Sequence, residues 1–293
     1  MVPSRRSVIA GAAASLAAGA ALAADRLGAI EARVAGRLGL AALDLASGAR
    51  LAHRADERFA MCSTFKAMAV AAVLKRVDAG AEHLDRFIHY GEHDLLAYAP
   101  TTRAHLKDGG MTLVGLCEAA IELSDNGAAN LILKSLGGPG GWTRYVRTLG
   151  DAVSRLDRIE PALNTSVPGD PRDTTTPAAM LADLQKTVLG DALSPASRQK
   201  LQGWLLGCKT GDARLRAGLP RAWRVGDKTG TWSGENAYAS ANDIAVVWTP
   251  TGPILISCYV TGADRVRGAV RDAAIAEVGR VVVETFRPTA DRG

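Results

Sequence analysis

Aromatic residues make up only 5% of this chain, histidines number 5 and cysteines 4, and each shortage closes off a class of function. With so few aromatic side chains, and no basic run interleaved with them, there is no stacking platform for nucleic-acid bases. The only closely spaced histidine pair lies in His89-Tyr90-Gly91-Glu92-His93, whose glycine and residue order depart from H-E-x-x-H. No third ligand cluster accompanies it, so neither a metal nor any other cofactor is expected. Gly137-Gly138-Pro139-Gly140-Gly141 is followed by no Lys-Ser or Lys-Thr and preceded by no strand pattern; it reads as a helix-to-helix turn, not a phosphate loop. After residue 23 no stretch approaches the ~20 apolar residues that span a bilayer, so no stable membrane association is expected once the leader is gone. The formal net charge is +5, of which Arg5 and Arg6 belong to that leader, too small an excess to call for nucleic acid. The expected partner is a small molecule, and the expected state is a monomer.

What is present begins with a leader. Ser4-Arg5-Arg6-Ser7-Val8-Ile9 precedes an Ala-rich apolar stretch that ends Ala21-Leu22-Ala23, the order of a charged segment, a hydrophobic segment and a small-residue cleavage site. Residues 1–23 are read as an export signal, the paired arginines pointing to the twin-arginine route with general secretion as the alternative. Either route places the mature chain in the periplasm or outside the cell.

The remaining 24–293 has no internal repeat and no low-complexity linker, and at 47% hydrophobic it can bury a sizeable core as one domain. Leu38 to Leu45 and Ala49 to Arg54, joined around Ser47-Gly48, read as a hairpin. Helical patterns follow near 64–79, 112–123, 127–136, 140–149, 177–189 and 195–207. Three strands are expected near 223–232, 240–248 and 254–261, then an amphipathic helix over 267–286. Strands at both ends with helices between imply an α+β fold: one antiparallel five-stranded sheet flanked by helices, built from both chain ends, and an all-helical lobe from the middle. Residues 151–176 are rich in Asp, Arg, Pro and Gly and lack a period; so long an irregular loop in a compact domain is usually functional.

Four short motifs occur in order: Ser63-Thr64-Phe65-Lys66, Ser124-Asp125-Asn126, Glu160-Pro161-Ala162-Leu163-Asn164 and Lys228-Thr229-Gly230. Together they supply a nucleophile, proton carriers, a water-activating carboxylate and an anion grip, the kit for acyl transfer to and from a serine. Each is weak alone, since about one S-x-x-K is expected by chance in a chain this long. Decoys are present at Ser197-Arg198-Gln199-Lys200 and Lys209-Thr210-Gly211. Ser63 opens a run that is apolar nearly all round, a helix buried in the domain centre, whereas Ser197 reads as the wet face of an amphipathic helix. On a helix positions i and i+3 share a face, so Lys66 is expected within hydrogen-bond reach of Ser63. A plain N-cap role explains Ser63 but not a lysine in an apolar helix, which is costly to bury without a partner. Ser-Asp-Asn is also an ordinary N-cap sequence, and alone it would be read as one.

In combination these residues closely resemble the class A serine β-lactamases. The resemblance runs through Leu156 to Asn164, Arg172-Asp173-Thr174-Thr175-Thr176-Pro177, Tyr98-Ala99-Pro100 and Ala241-Asn242-Asp243. It implies hydrolysis of the lactam amide of penicillins and cephalosporins, and so antibiotic resistance, with the site in a cleft between two lobes. It implies that Ser63 is the nucleophile, that Ser124 relays a proton to the departing nitrogen and that Asn126 binds the substrate's side-chain amide. Lys228 and Thr229 would grip its carboxylate, Gly230 would let the ligand approach the backbone closely, the backbone N–H groups of Ser63 and Thr231 would form the oxyanion hole, and Tyr98 would line the site. Arg214 is either a second cation near that carboxylate or a solvated surface residue. Glu160 and Asn164 would activate and hold the hydrolytic water, and Arg158 and Asp173 would clasp their loop. Penicillin-binding and β-lactam-sensing proteins share the serine motifs without this loop, and form the alternative: acylation without turnover. Cys62 and Cys117 each lack the partner usual in disulfide-bearing relatives, so four free buried thiols are expected, Cys208 and Cys258 included. The turn after Thr231, with Trp232, is longer than usual in the family and leaves substrate preference open.

Overall fold

The computed structural model describes residues 21–233 and 238–286. Five antiparallel strands form the central sheet, in the order β2-β1-β9-β8-β7. They are β1 (Arg37–Asp44), β2 (Arg50–His53), β7 (Arg224–Trp232), β8 (Ser240–Thr249) and β9 (Gly252–Thr261). The amino-terminal hairpin pairs directly with the carboxy-terminal strand, from Arg37↔Thr261 to Asp44↔Ile254. Two distant chain segments thus close one sheet, as the placement of strands at both ends implied.

Both faces of that sheet are covered. Along β1 the side chains alternate, with Leu38, Leu40 and Ala42 in one apolar cluster and Ala41 and Leu43 in another. β9 splits the same way, Ile254, Ile256, Cys258 and Val260 against Leu255 and Tyr259. A strand buried on both sides loses the apolar/polar alternation of a half-exposed one, and these strands accordingly read as continuous apolar runs. The outer face is covered by α10 (Gly268–Phe286) and by α1, which covers residues 21–34. The strand and helix pattern expected from the sequence starts at Leu38 and does not include α1. Yet Ala23, Leu27, Ile30 and Val34 sit at helical spacing and are buried with Ile275, Val278 and Val282 of α10. Residues 1–20, and with them most of the expected leader, lie outside the described residues.

The inner face carries the helical lobe. Between the hairpin and α2 (Phe65–Asp78) runs β3 (Phe59–Ala60), followed by β4 (Phe87–His89), α3 (Pro100–Ala104), β5 (Gly110–Thr112), α4 (Leu113–Glu122), α5 (Asn126–Ser135) and α6 (Pro139–Thr148). β6 (Thr174–Thr175) pairs with β3, and α7 (Pro177–Leu184), α8 (Pro195–Leu206) and α9 (Leu215–Gly218) complete the chain. Every residue of α2 from Phe65 to Leu74 is buried. At about 1.5–3 kcal/mol for each fully buried Val, Leu, Phe or Met, this helix is the centre of the inner core. Gly137 and Gly138 adopt positive φ just before Pro139 opens α6, the helix-to-helix turn expected there. His89 stacks edge-on against Phe87 and His93 meets Asp94, so that histidine pair is spent on local contacts.

Ser197 departs from expectation. It is buried, and its Oγ donates to Asp78 Oδ1 at 2.6 Å while Ser194 caps α8. The polar neighbours Arg198 and Lys200 suggest a wet face; the partner is an exposed carboxylate at the far end of α2, which the local sequence does not disclose. The four cysteines are all buried and free.

Candidate active site

A short 3-10 turn, Cys62–Thr64, delivers Ser63 to the start of α2. Its tight path has a conformational cost: Cys62 holds φ at +44°, a left-handed value that is strained for a residue with a β-carbon. Ser124 (φ +57°) and Asp173 (φ +57°) are strained in the same way. Such residues cluster where the surrounding structure forces a functional geometry. The turn is pinned from three sides. Asn242 Nδ2 on β8 donates to the carbonyls of Ala60 (2.9 Å) and Met61 (3.0 Å), and the Met61 N–H donates to Asp173 O at 3.0 Å. On the third side β7 passes so close that a β-carbon at Gly230 would lie 2.7 Å from Met61 O. Glycine is therefore required there for contact between two segments of the protein itself, a reason beyond the approach of a ligand expected from the sequence.

Ser63 makes no side-chain cap to α2, which removes the plain N-cap reading. Its Oγ donates instead to Glu160 Oε1 at 3.2 Å, and Lys66 Nζ stands 3.1 Å from that same oxygen. The direct Ser63–Lys66 bond expected from i, i+3 spacing is thus replaced by one in which a carboxylate from a remote loop joins the two. Lys66 also donates to Asn126 Oδ1 (2.6 Å), Ser124 O (2.9 Å) and Ser124 Oγ (3.4 Å). Burial drives its ammonium below the ordinary lysine range, with the Glu160 charge opposing that shift. Lys228 Nζ reaches Ser124 Oγ from the other side at 2.9 Å, and burial pushes it down to about 8. Ser124 Oγ therefore lies between two buried amines, placed for a proton relay.

The Ser-Asp-Asn motif divides its labour. Asp125 does the capping, accepting from Ala128 N (2.9 Å) on α5 and from Thr101 N and Thr102 N on α3 (2.8 and 2.9 Å). The N-cap reading thus holds for Asp125, while Ser124 and Asn126 line the cleft.

Glu160 arrives on the irregular loop. Its backbone is gripped by Asn130 of α5, which donates to Glu160 O (3.0 Å) and accepts from Glu160 N (2.9 Å). Asn164 Nδ2 holds Glu160 Oε2 at 2.5 Å, and the Glu160–Pro161 bond is cis. Asn130 was passed over in the sequence, although an amide inside Ala128-Ala129-Asn130-Leu131-Ile132-Leu133 raises the same question as Lys66 in its apolar helix. The clasp is present: Arg158 Nε meets Asp173 Oδ2 at 2.5 Å, and Asp173 Oδ1 accepts from the N–H groups of Asp157 (2.8 Å) and Arg158 (2.9 Å).

Arg214 is neither solvated nor pointed freely at the cleft. It is buried behind β7, donating to Asp272 (2.8 Å), to Gly230 O (2.9 Å), to Asn242 O (2.8 Å) and to Thr231 Oγ1 (2.6 Å). The decoy Lys209-Thr210-Gly211 is no bystander either, because Thr210 Oγ1 lies 2.5 Å from Thr229 Oγ1.

These groups open onto a cleft of about 460 Å³ whose walls include Ser63, Tyr98, Asn126, Asn164, Thr229 and Thr231. Tyr98 is half exposed at the rim, its hydroxyl donating to Leu123 O at 3.0 Å. A cavity of similar size lies behind the 157–173 loop, but its charged walls are already partnered, Arg37 with Glu57, Arg172 with Asp170, and Arg58 with Val153 O and Thr174 Oγ1. A nucleophile, two buried amines, a loop-borne carboxylate and an edge strand converging on one cleft is an acyl-transfer site able to form an ester and also to hydrolyse it.

Comparison with known proteins agrees. The model of the Beta-lactamase enzyme family matches residues 22–286. The chain belongs to the class A β-lactamases. It is 50% identical to β-lactamase L2 of Stenotrophomonas maltophilia over 262 residues, 88% of this chain and 84% of that one. It is 47% identical to β-lactamase AST-1 of Nocardia asteroides over 267 residues, 91% of this chain and 84% of that one. Among solved structures, an ancestral class A β-lactamase superposes with a TM-score of 0.86 at 60% identity, covering 90% of this chain and all of that one. Seen as a class A β-lactamase, the chain has its long loop carrying the Glu160 carboxylate, its clasp and its edge strand β7 where the sequence resemblance implied. Residues 234–237 of the turn after Trp232 lie outside the described residues.

Proposed function

We propose that the protein hydrolyses the β-lactam amide of penicillins and cephalosporins through an acyl-enzyme on Ser63, and that Glu160 is what makes it a hydrolase. The reading is carried by one observation: Glu160 Oε1 sits between Ser63 Oγ (3.2 Å) and Lys66 Nζ (3.1 Å). Ser63 Oγ attacks the lactam carbonyl while its proton passes to Glu160 or to Lys66, whose lowered basicity makes the neutral amine accessible. The developing oxyanion is held by the Ser63 and Thr231 N–H groups, β7 being the sheet edge where alternate N–H groups lack a strand partner. Ser124, fed by Lys66 and Lys228, protonates the departing nitrogen. Glu160 then takes a proton from a water held with Asn164 and drives the hydroxide into the ester carbon, releasing the ring-opened acid and restoring Ser63. Asn126 and Tyr98 position the substrate's acylamino side; Lys228, Thr229 and Thr231, with Arg214 behind them, position its carboxylate. That one chain carries every one of these side chains supports a monomer as the active unit.

Rapid, repeated hydrolysis of a chromogenic cephalosporin is the expected result. One-to-one labelling without turnover would replace this reading with that of a penicillin-binding or sensing protein.

The proposed grip predicts an alkaline limit. Lys228 is charged below its folded pKa of about 8 and neutral above it, so kcat/KM for benzylpenicillin, which reports the free enzyme, should fall as pH rises through about 8. Lys228→Arg, charged throughout that range, should move the limb upward. A kcat/KM profile flat to pH 10 in the parent would remove Lys228 from substrate binding.

We further place the mature enzyme in the periplasm, exported by the twin-arginine route on the strength of Arg5-Arg6 and the apolar stretch after it. Replacing both arginines with lysine should abolish resistance in the host while the purified mature enzyme keeps its activity. Unchanged resistance would favour general secretion.

A further inference from the structure

Thr210 belongs to none of the four motifs, yet its side chain lines the cleft and its Oγ1 lies 2.5 Å from Thr229 Oγ1. Two hydroxyls share one proton across such a contact, and which of them donates decides where the other points. Thr210 has two acceptors in reach, the Cys208 sulfur at 3.4 Å and the Thr229 oxygen at 2.5 Å. Sulfur is a weak acceptor, so the Thr210 proton goes to the oxygen. Thr229 then has its acceptor side occupied from behind and its own O–H free. Thr231 shows the same arrangement with the direction fixed by chemistry, since the Arg214 guanidinium at 2.6 Å can only donate. Both threonines on the cleft side of β7 are thus supplied from behind.

We propose that Thr210 is a positioning residue for anion recognition: by donating to Thr229 Oγ1 it turns the Thr229 O–H into the cleft, toward the carboxylate that the substrate carries beside its lactam ring. The inference rests on the β-lactamase reading and on the role of Thr229 in it. A hydrogen bond made equally to the bound substrate and to the transition state acts on KM and leaves kcat alone.

The test compares the parent, Thr210→Val, Thr210→Ser and Thr229→Val on benzylpenicillin and on its methyl ester, which lacks the anion. Thr210→Val should raise KM for the acid about tenfold, the scale of one hydrogen bond to a charged group, with kcat within about twofold of the parent. Thr210→Ser, which keeps the donor, should restore the parental KM. On the ester, Thr210→Val and the parent should have the same kcat/KM. An unchanged KM in Thr210→Val, a failure of Thr210→Ser to rescue, or an equal loss on acid and ester would overturn the proposal, the last by showing a general structural defect. An unaffected Thr229→Val would overturn it at its premise, and a parent that turns over neither compound would overturn the hydrolase reading instead.

Discussion

Glu160→Ala is expected to accumulate, after mixing with benzylpenicillin, a persistent adduct of one whole penicillin on Ser63, where the parent shows none at steady state. The substitution removes the carboxylate that Ser63, Lys66 and Asn164 all touch, at 3.2, 3.1 and 2.5 Å. It leaves the Ser63 turn pinned by Asn242, and it leaves Lys66 bonded to Asn126 and Ser124. Lys66 then loses the largest of the charges that oppose its desolvation, so its neutral form gains population and can still serve acylation. Hydrolysis of the ester has no such substitute, and losing a positioned general base costs about 10²–10⁴ in rate. Intact-protein mass spectrometry reads the outcome. A variant that turns over at near-parental rate would sink the role of Glu160, and a parent that itself remains acylated would sink the β-lactamase reading.

The second large effect is expected at the loop clasp. Asp173→Ala leaves the Arg158 guanidinium and the N–H groups of Asp157 and Arg158 without the carboxylate that satisfies them now. Removing one partner of a buried pair costs about 3–5 kcal/mol; Arg158 is about one-fifth exposed, so the lower end applies. For a domain of this size that is a fall in melting temperature of roughly 6–10 °C. The loss should not be uniform. Met61 N donates to Asp173 O, and Glu160 rides on the clasped loop, so hydrolysis of the acyl-enzyme should slow more than its formation. Asp173→Asn, which keeps an acceptor oxygen, should fall between. A variant with parental melting temperature and parental deacylation would show that Asn130 and Asn164 hold the loop without the clasp.

The two cases mark how far the sequence can be read. Strands and helices are legible because burial imposes a pattern: β1 and β9 read as apolar runs, and α2 as a helix apolar all round with one anomalous lysine, whereas the two- and three-residue strands β3 to β6 are too short to show one. The anomaly at Lys66 led to the site, since a buried cation must have partners. The same argument applied to Asn130 in α5 would have found the residue that brackets Glu160. Helix α1 escapes a reading of the sequence although its four buried residues keep helical spacing, because its first turn overlaps the end of the Ala-rich leader.

Where reading along the chain failed, the partner was remote. The charged neighbours of Ser197 point to a surface residue, but it is buried against Asp78, 119 positions away. Gly230 was given to a ligand when it makes room for Met61. The sequence leaves Arg214 open between two roles because the four groups that hold it come from α10, β7 and β8. Lys209-Thr210-Gly211 was set aside as a decoy, yet it supplies Thr210 to the cleft.

By itself, then, the sequence determined which residue types carry the chemistry, on which elements, and the family to which they belong, because helix and strand periods and short motifs are local properties of the chain. Only the tertiary structure decided who touches whom: that Glu160 rather than Lys66 receives the Ser63 proton bond, that Ser124 sits between two amines, and that Arg214 and Thr210 serve β7 from behind. Those contacts join residues 17 to 104 positions apart, and at such separations the register is set by packing and chain closure, which no local pattern encodes.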